Sequence, residues 1–286
     1  ARWLGKQPAM NKDKTSGAMN KVMTETEFYR YGAAVKKLVS LAKSQGIVPS
    51  YVEGATGLLP DTKETWLDLM AHYDIEPVER DDAGKRQSVD ADYERCIELA
   101  RRALTLSCEQ PASIDFDDQL YMTVIFNARV PQYDWVMVDE AQDLSPIQQA
   151  LVEKAVATNG RVLMIGDSAQ AIYGFRGADA ESMENFGKRL NATPLKLSIC
   201  YRCPKSHIEM AKAFVPEIEA APNAPEGEIV KLGFDWKADI FRNDDLIICR
   251  SSAPLVRAAF QILSQKVAVR ILGHDLGKGL VSLIKK

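Results

Sequence analysis

The sequence of 286 residues lacks several features that would assign it at once to a broad class of protein. No apolar run approaches the ~20 residues needed to cross a bilayer, and the first residues lack the apolar core of a secretory signal. We therefore expect a cytoplasmic protein with no membrane partner. Charged residues make up 26% of the chain and hydrophobic residues 46%, a composition typical of a globular protein with a buried core.

The sequence also lacks an excess of positive charge. It has 36 Lys and Arg residues against 39 Asp and Glu residues, which gives a formal net charge of −3. A function in binding nucleic acid would therefore need a local groove of basic and aromatic residues rather than a basic surface overall.

Cysteine and histidine are too few and too scattered to indicate a disulfide framework or a metal site. The five cysteines are odd in number, and the three histidines lie far apart. Cys200 and Cys203 form a C-x-x-C pair, but no second pair accompanies it. Zinc binding or redox chemistry at this pair is therefore not expected.

An apolar, β-branched run ends in two adjacent carboxylates at residues 135–143, with the sequence WVMVDEAQD. The run predicts a buried parallel strand, and ligands of open α/β sheets bind at the carboxyl ends of such strands. Asp139 could hold Mg²⁺ there, and Glu140 could accept the proton of an attacking water. The alternative is a strand that ends in a solvated acidic turn.

A second apolar run, Val162–Asp167, favours a functional site. It leads into a Gly-rich loop that contains Gln170, a neutral polar residue able to sense a phosphate. In the same loop, Tyr173, Phe175 and Arg176 combine aromatic rings with a cation, a combination that suits single-stranded nucleic acid.

A third stretch, CYRCP at residues 200–204, follows a predicted strand at Leu195–Leu197. Together, DEAQD at residues 139–143, GDSAQAIYGFRGA at residues 166–178 and the Tyr-Arg pair at residues 201–202 resemble motifs II, III and IV of the UvrD/Rep-type superfamily-one DNA helicases. Their order, their spacing and the intervening strands agree with that family. The resemblance is dense from Asp115 to Pro204, extends to Lys286 and is thin before Asp115.

The resemblance implies an α/β fold, with RecA-like parallel-sheet domains of the P-loop NTPase type and an inserted all-helical subdomain. Residues 1–19 would be a remnant of the first RecA-like domain, and residues 20–111 would be the helical subdomain. Residues 112–191 would form the core of the first RecA-like domain, with motifs II and III. Residues 192–286 would be a partial second RecA-like domain, with motif IV.

The resemblance also implies roles for individual residues. At the ATP site, Asp139 would bind Mg²⁺ and Glu140 would activate the attacking water. Gln170 and Arg202 would contact the γ-phosphate of ATP, and Tyr201 would lie against the adenine. Tyr173 and Phe175 would stack on DNA bases, with Arg176 beside the strand. The implied activity is ATP-dependent movement, 3′ to 5′, on single-stranded DNA, with a 3′-tailed duplex as the substrate.

Parts of the family pattern are missing from the sequence. No G-x-x-x-x-G-K-[ST] loop exists, because each Gly-Lys pair, at Gly5, Gly84, Gly187 and Gly277, lacks the following Ser or Thr. The last two motifs of the family are not found after Pro204, and Cys200 and Cys203 stand where the family more often has Asn and Ser. We therefore expect an internal fragment of a longer helicase that does not turn over ATP by itself. The alternative is a naturally short protein that kept the scaffold.

Two other functions remain open from the sequence. One is a catalytically silent nucleic-acid-binding or scaffolding module on the same fold. The other is an unrelated metal-dependent hydrolase that uses Asp139 and Glu140, although no third acid or His stands at ligand spacing.

Outside the motifs, sequence patterns predict several elements. Apolar periodicity predicts three helices between residues 27 and 104 with no strand among them, after an irregular entry over residues 1–20. The acids at residues 115–118 predict a helix cap rather than a metal site. The remaining predictions are a helix at Pro146–Ala157 that stops at Asn159-Gly160, a helix at Ala180–Phe186 capped by Asp179, strands at Asp245–Arg250 and Val267–Leu272, a helix at Leu255–Ser264, and a flexible excursion over residues 216–225.

Overall fold

The computed structural model describes residues 8–77, 79–80, 86–87, 92–171, 181–233, 236–243, 245–249 and 252–270. The chain divides into two compact units, Ala1–Lys196 and Leu197–Lys286. Within the described ranges, no helix has both the length and the apolar character needed to cross a membrane.

The first unit begins with a short strand, β1 (Ala9–Met10), followed by helices α1 (Lys14–Val22), α2 (Glu25–Gln45), α3 (Lys63–His72) and α4 (Tyr93–Cys108). The start of α2 follows from its sequence, because Thr24 and Glu27 form a capping box. Its end also follows from sequence, since Gly46 adopts a left-handed conformation with φ of 74°. The apolar faces of these helices enclose Trp66, which is fully buried.

Two predictions for this region are wrong. Residues 1–20 are not irregular throughout, because α1 buries Ala18 and Met19 in contact with α2 and α4 despite its weak periodicity. The helices are also not free of strands, because β2 (Glu79–Arg80) and β3 (Arg86–Gln87) pair antiparallel.

The helices share one hydrophobic core with the elements that follow them. Strand β4 (Ser113–Ile114) pairs parallel with β1, and helix α5 (Phe116–Ile125) comes directly after it. Tyr121 and Ile125 of α5 belong to the same buried cluster as the apolar residues of α1 to α4. The helical region and α5 therefore pack as one body within the first unit.

The cap predicted at the start of α5 is confirmed. Asp115 and Asp118 form a capping box, and both carboxylates also pair with cations from other helices. Lys43 Nζ lies 2.7 Å from Asp115 Oδ2 and 2.8 Å from Asp118 Oδ1, and Lys14 Nζ lies 2.7 Å from Asp118 Oδ2. Burial lowers the pKa of Lys14 more than its pairing with Asp118 raises it. This buried ion cluster joins α1, α2 and α5.

Strands β5 (Tyr133–Val138) and β6 (Val156–Met164) pair parallel, with helix α6 (Pro146–Ala155) between them in sequence. The predicted helix over residues 146–157 is too long, because the chain has already become a strand at Val156. Gly160 lies where the register of the pair shifts, and a Cβ there would be 2.8 Å from the carbonyl oxygen of Tyr133. The Asn159-Gly160 pair therefore marks a strand irregularity and not a helix end.

The prediction that the strand at residues 133–138 is buried is wrong, although its parallel pairing is confirmed. Trp135 is 54% exposed and Met137 is 70% exposed, and only Val138 is buried. Parallel strands become buried through neighbours on both faces. Helix α6 packs against the pair, but within the described residues no third strand joins it.

Helix α7 (Ser182–Arg189) is the last helix described in the first unit. It starts and ends later in the sequence than the helix predicted at residues 180–186. Its predicted cap, Asp179, lies outside the described residues. The second unit contains β7 (Ile199–Cys200), α8 (Lys205–Ala211), β8 (Glu219–Ala220) and α9 (Ser252–Ser264), with β7 and β8 paired parallel. Helix α9 confirms the helix predicted at residues 255–264.

Other secondary-structure predictions for residues 195–270 are wrong within the described residues. The stretch 216–225 is not only an excursion, because it contains β8. Residues 195–197, 245–249 and 267–270 form no strand, and Leu246 and Ile248 are 73% and 81% exposed. Arg250 and residues 271–272, at the ends of two predicted strands, lie outside the described part of the chain.

Candidate functional site

The two acids of the first motif lie directly after β5. Glu140 adopts a left-handed conformation, with φ of 53° and ψ of 42°, which is unfavourable for a residue with a side chain and costs roughly 1–3 kcal/mol. This conformation turns the chain from β5 into a single turn of 3₁₀ helix at Ala141–Asp143. Ala141 N donates to the carbonyl oxygen of Ile165 at 2.9 Å, and Ile165 N donates to that of Val138 at 2.8 Å. The ends of β5 and β6 are thereby held side by side.

Both acids are exposed to solvent. Asp139 Oδ1 accepts a hydrogen bond from the backbone N–H of Glu140 at 3.0 Å. Within the described residues, the other oxygen of Asp139 has no protein partner. Asp139 therefore offers an accessible carboxylate oxygen at the tip of a strand.

A buried glutamine connects Glu140 to the end of the neighbouring strand. Gln142 is only 2% exposed. Its Nε2 donates to Glu140 Oε2 at 2.6 Å, and its Oε1 accepts from the backbone N–H of Asp167 at 3.1 Å. This is the one amide orientation that satisfies both partners, because a carboxylate only accepts and an N–H only donates.

The connection continues to Gln170. Asp167 caps the short turn Ser168–Gln170, where its Oδ1 accepts from the N–H of Ala169 at 3.0 Å. Its Oδ2 accepts from Gln170 Nε2 at 2.7 Å. Glu140, Gln142, Asp167 and Gln170 thus form one continuous series, which we call the Glu140–Gln170 hydrogen-bond chain.

Gly166 makes room for this hydrogen-bond chain. A Cβ at this position would lie 2.5 Å from Gln142 Oε1 and 3.0 Å from Ala141 N. It would also lie 2.9 Å from the sulfur of Met183 in α7. Any side chain at position 166 would therefore displace Gln142 or the turn that carries it.

Helix α7 is fixed against the segment that follows the acids. Ser182 Oγ donates to the carbonyl oxygen of Leu144 at 2.7 Å and accepts from Gln149 Nε2 of α6 at 2.6 Å. The chain is therefore held by hydrogen bonds at Asp167, near the start of motif III (residues 166–178), and at Ser182, after the motif ends. The predicted DNA-stacking residues, Tyr173, Phe175 and Arg176, lie between these anchors and outside the described residues.

The structure brings Glu140 and Gln170 into one network of hydrogen bonds, and their roles toward water and phosphate stay predictions. Two residues link Glu140 to Gln170, namely Gln142 and Asp167, and neither was predicted from the sequence to do so. The only signals in the sequence were a neutral polar residue two positions after the acids and a Gly-Asp pair at the end of the second strand.

Tyr201 and Arg202 belong to the second unit, whereas Asp139, Glu140 and Gln170 belong to the first. They follow β7 and precede α8, and both are exposed, Tyr201 by 80%. The nucleotide-contacting residues implied by the family resemblance are therefore divided between the two units.

The donor set at the strand ends fits a magnesium ion that is shared with a phosphate ligand. No group of three or more His, Cys, Asp and Glu side chains that could enclose a metal ion is found among the described residues. Mg²⁺ is commonly held by one or two carboxylates together with phosphate oxygens and water, and a single exposed Asp139 is compatible with that arrangement.

These features define an α/β protein with a polar site at the carboxyl ends of paired parallel strands. The sequence model of the family described as "UvrD/REP helicase N-terminal domain" matches residues 12–191. The chain belongs to the UvrD/Rep helicase family. The parallel strands and surrounding helices are compatible with the RecA-like α/β fold predicted from the motifs.

The curated relatives of the chain are named as DNA helicases. The chain is 33% identical over 112 residues to a probable DNA helicase II homolog of Mycoplasma capricolum subsp. capricolum, a match covering 36% of this chain and 16% of the relative. It is 26% identical over 138 residues to the ATP-dependent DNA helicase PcrA of Leuconostoc citreum, with 45% and 18% covered. It is 31% identical over 112 residues to PcrA of Staphylococcus aureus, with 36% and 15% covered. Each match therefore spans less than a fifth of the relative's length.

Proposed function

We propose that this chain carries part of the motor of an ATP-dependent DNA helicase, in which ATP hydrolysis drives movement 3′ to 5′ along single-stranded DNA. The observation that carries the proposal is the Glu140–Gln170 hydrogen-bond chain. It joins the acid suited to activate water to the glutamine suited to contact the γ-phosphate. Membership of the family and the names of the relatives support the same function.

The proposal includes a domain organisation. Residues 112–191 form the core of a RecA-like domain and residues 192–286 part of a second one, an assignment supported by the division of the chain after Lys196. Residues 20–111 form a helical subdomain inserted into the first RecA-like domain, and residues 1–19 are a remnant of that domain.

In the proposed mechanism, Asp139 would hold Mg²⁺ through its exposed carboxylate. A bound ion would supply charge neutralisation at the phosphates. The donor from Gln142 engages Glu140 Oε2 and fixes the carboxylate, so Oε1 is the oxygen that accepts the proton of the attacking water. Gln170 has two amide hydrogens, and only one is needed for its bond to Asp167. The other can bond a phosphate oxygen.

The same residues connect the proposed nucleotide site to the predicted DNA-binding residues. When the phosphate contact of Gln170 is lost, its bond to Asp167 and the start of the motif III loop can rearrange together. In this proposal Tyr173 and Phe175 stack on unpaired bases with Arg176 beside them, so the loop would move DNA. Tyr201 and Arg202 of the second unit complete the site at the adenine and the γ-phosphate.

Binding of single-stranded DNA tests the proposal. Fluorescence anisotropy with a short labelled strand should show binding by the 286-residue chain. Tyr173→Ala and Phe175→Ala should each weaken it about 5- to 150-fold, because stacking contributes ~1–3 kcal/mol per base. Tyr51→Ala is the control, since Tyr51 is an exposed tyrosine of the same unit outside the motifs. Equal affinity in all four proteins would contradict the assigned stacking residues.

A catalytically silent nucleic-acid-binding or scaffolding module is the second candidate. The 286 residues contain no G-x-x-x-x-G-K-[ST] loop, which would supply the phosphate cradle and the lysine. We expect the chain alone to release no phosphate from ATP at a helicase-like rate. Turnover at such a rate that is abolished in Glu140→Gln would contradict this expectation and exclude the silent module.

A further inference from the structure

Two buried polar side chains join α6 to α7 beside the turn that follows the acids. Gln149 of α6 is 6% exposed, and Ser182 of α7 is 5% exposed. Neither residue belongs to the three motifs, and the proposed mechanism gives neither of them a role. Burying a polar group is unfavourable unless it is hydrogen-bonded, so the partners of these two side chains show what they hold in place.

The Ser182 hydroxyl uses both of its hydrogen-bonding roles. It accepts from Gln149 Nε2 at 2.6 Å and donates its single hydrogen to the carbonyl oxygen of Leu144 at 2.7 Å. Because a carbonyl oxygen only accepts, the hydroxyl hydrogen must point at Leu144, and the amide must be the donor on the other side. Ser182 therefore connects α6 to the residue that ends the turn Ala141–Asp143.

Arg189 fixes the orientation of the Gln149 amide. Its Nη2 donates to Gln149 Oε1 at 3.0 Å, and its Nε donates to Glu153 Oε1 at 2.7 Å. Since a guanidinium only donates, the amide oxygen must face Arg189 and the amide nitrogen must face Ser182. The hydrogen bonds from Arg189 through Gln149 and Ser182 to the carbonyl of Leu144 thus all run in one direction. We call this series the Gln149–Ser182 relay.

The relay ends two residues after Gln142. Leu144 N donates to the carbonyl oxygen of Ala141 at 3.4 Å, and Ala141 N donates to that of Ile165 at 2.9 Å. Gln142 lies in the middle of this turn, and its Nε2 donates to Glu140 Oε2 at 2.6 Å. A shift of the turn would therefore displace the amide that holds Glu140.

We propose that Gln149 and Ser182 are positioning residues. Their relay holds the carbonyl of Leu144 and, through it, the turn that places Gln142 against Glu140. Their contribution to catalysis rests on the proposed function, in which Glu140 activates water. The relay itself does not rest on that function, because it consists of hydrogen bonds within the first unit.

Gln149→Glu tests the relay while keeping α6 and α7 joined. A carboxylate at position 149 only accepts, so the Ser182 hydroxyl would turn its hydrogen from Leu144 to residue 149. The bond from Arg189 to residue 149 would gain a charged acceptor, so α7 should stay packed against α6. The carbonyl oxygen of Leu144 would lose its donor.

The readout is solvent exchange of the side-chain amide hydrogens of Gln142, measured by NMR on the whole chain. Gln149→Glu should accelerate this exchange at least about fivefold, as expected for an acceptor left without its donor. Ser182→Ala, which removes the donor to Leu144 outright, should do the same. Asn185→Ala is the control and should leave the exchange unchanged, because Asn185 is an exposed, uncharged residue of the same helix.

The backbone amides of α7 separate positioning from a merely structural role. In Gln149→Glu they should exchange as slowly as in wild type, while the side-chain amide of Gln142 exchanges faster. Unchanged Gln142 exchange in either Gln149→Glu or Ser182→Ala would overturn the inference. Equal acceleration along α7 and at Gln142 in Gln149→Glu would overturn it too, since the helix would then have come loose. The readout uses no ATP or DNA, so its failure is distinguishable from failure of the proposed helicase function.

Discussion

Replacing Lys43 by Met should make local unfolding of the helical part of the first unit more frequent. Lys43 is 1% exposed and lies between two carboxylates, 2.7 Å from Asp115 Oδ2 and 2.8 Å from Asp118 Oδ1. Burial opposes its charge, but Asp118 and Asp115 more than offset that effect and raise its pKa. Lys43 is therefore a charged group that balances two acids at the start of α5.

The expected loss follows from what the substitution leaves behind. Removing one partner of a buried ion pair costs about 3–5 kcal/mol, because the opposite charge stays buried without compensation. Met fills most of the space of the lysine stem, so little of the loss would come from a cavity. Lys14 pairs with Asp118 Oδ2 at 2.7 Å, so Asp115 is the acid left with the least compensation. At about 1.4 kcal/mol per factor of ten, amide exchange through this opening should accelerate about 10²- to 10⁴-fold.

Hydrogen exchange followed by mass spectrometry checks this on peptides from α2 and α5. Lys63→Met is the control, because the ion pair of Lys63 with Glu94 is between side chains 55% and 73% exposed, and its loss should leave exchange unchanged. Adding Asp115→Asn to Lys43→Met should restore part of the protection, since the uncompensated charge is removed. Wild-type exchange rates in Lys43→Met would refute the reasoning that the buried acids depend on this cation.

Two further predictions concern the strand ends and the acid range of pH. Gly166→Ala should displace the Gln142 side chain, because the new Cβ would lie 2.5 Å from Gln142 Oε1. The side-chain amide hydrogens of Gln142 should then exchange faster with solvent, as measured by NMR. Gly187→Ala is the control and should leave that exchange rate unchanged, because its Cβ meets only Met164 Cε at 3.7 Å. Although burial opposes it, pairing with Lys43 lowers the pKa of Asp115. Its stabilising contribution is therefore present above the unfolded value of about 3.9 and lost as the pH falls through the lower, folded value. Urea unfolding of the first unit should become easier below about pH 4, and less steeply so in Asp115→Asn; identical pH profiles would contradict the role of Asp115.

Features set by neighbouring residues could be predicted from the sequence. The apolar run before Asp139 and Glu140, with its abrupt end, predicted a strand that ends at these two acids. The acids at residues 115–118 predicted a helix cap, because a capping box involves residues only three positions apart. Strand pairing direction followed from the strand–helix–strand order.

Features that depend on distant residues could not be predicted in this way. Gln142 is buried because its amide reaches Asp167, 25 positions along the chain. The partner of Asp115 is Lys43, 72 positions away, and the hydrogen bond from Lys14 to Asp118 spans 104 positions. No pattern within one element distinguishes these buried polar residues from solvated ones.

Burial of the strand at residues 133–138 was mispredicted for a related reason. Side-chain character shows that Trp135 and Met137 favour an apolar environment, but only neighbouring elements can provide one. Within the described residues, β5 pairs with β6 alone, and both side chains stay more than half exposed. The start of β6 at Val156 was missed because Asn159-Gly160 resembles a helix end, while its actual role depends on the carbonyl of Tyr133.

The link between Glu140 and Gln170 is tested most directly by the backbone amide of Asp167, observed by NMR in wild type and in Gln142→Leu. In wild type this N–H donates to the buried Gln142 Oε1, so it should exchange more slowly than the amides of neighbouring loop residues. In Gln142→Leu it should exchange freely, and the side-chain amide signals of Gln170 should shift. An Asp167 amide that exchanges equally fast in both proteins would show that Gln142 does not join Glu140 to Gln170.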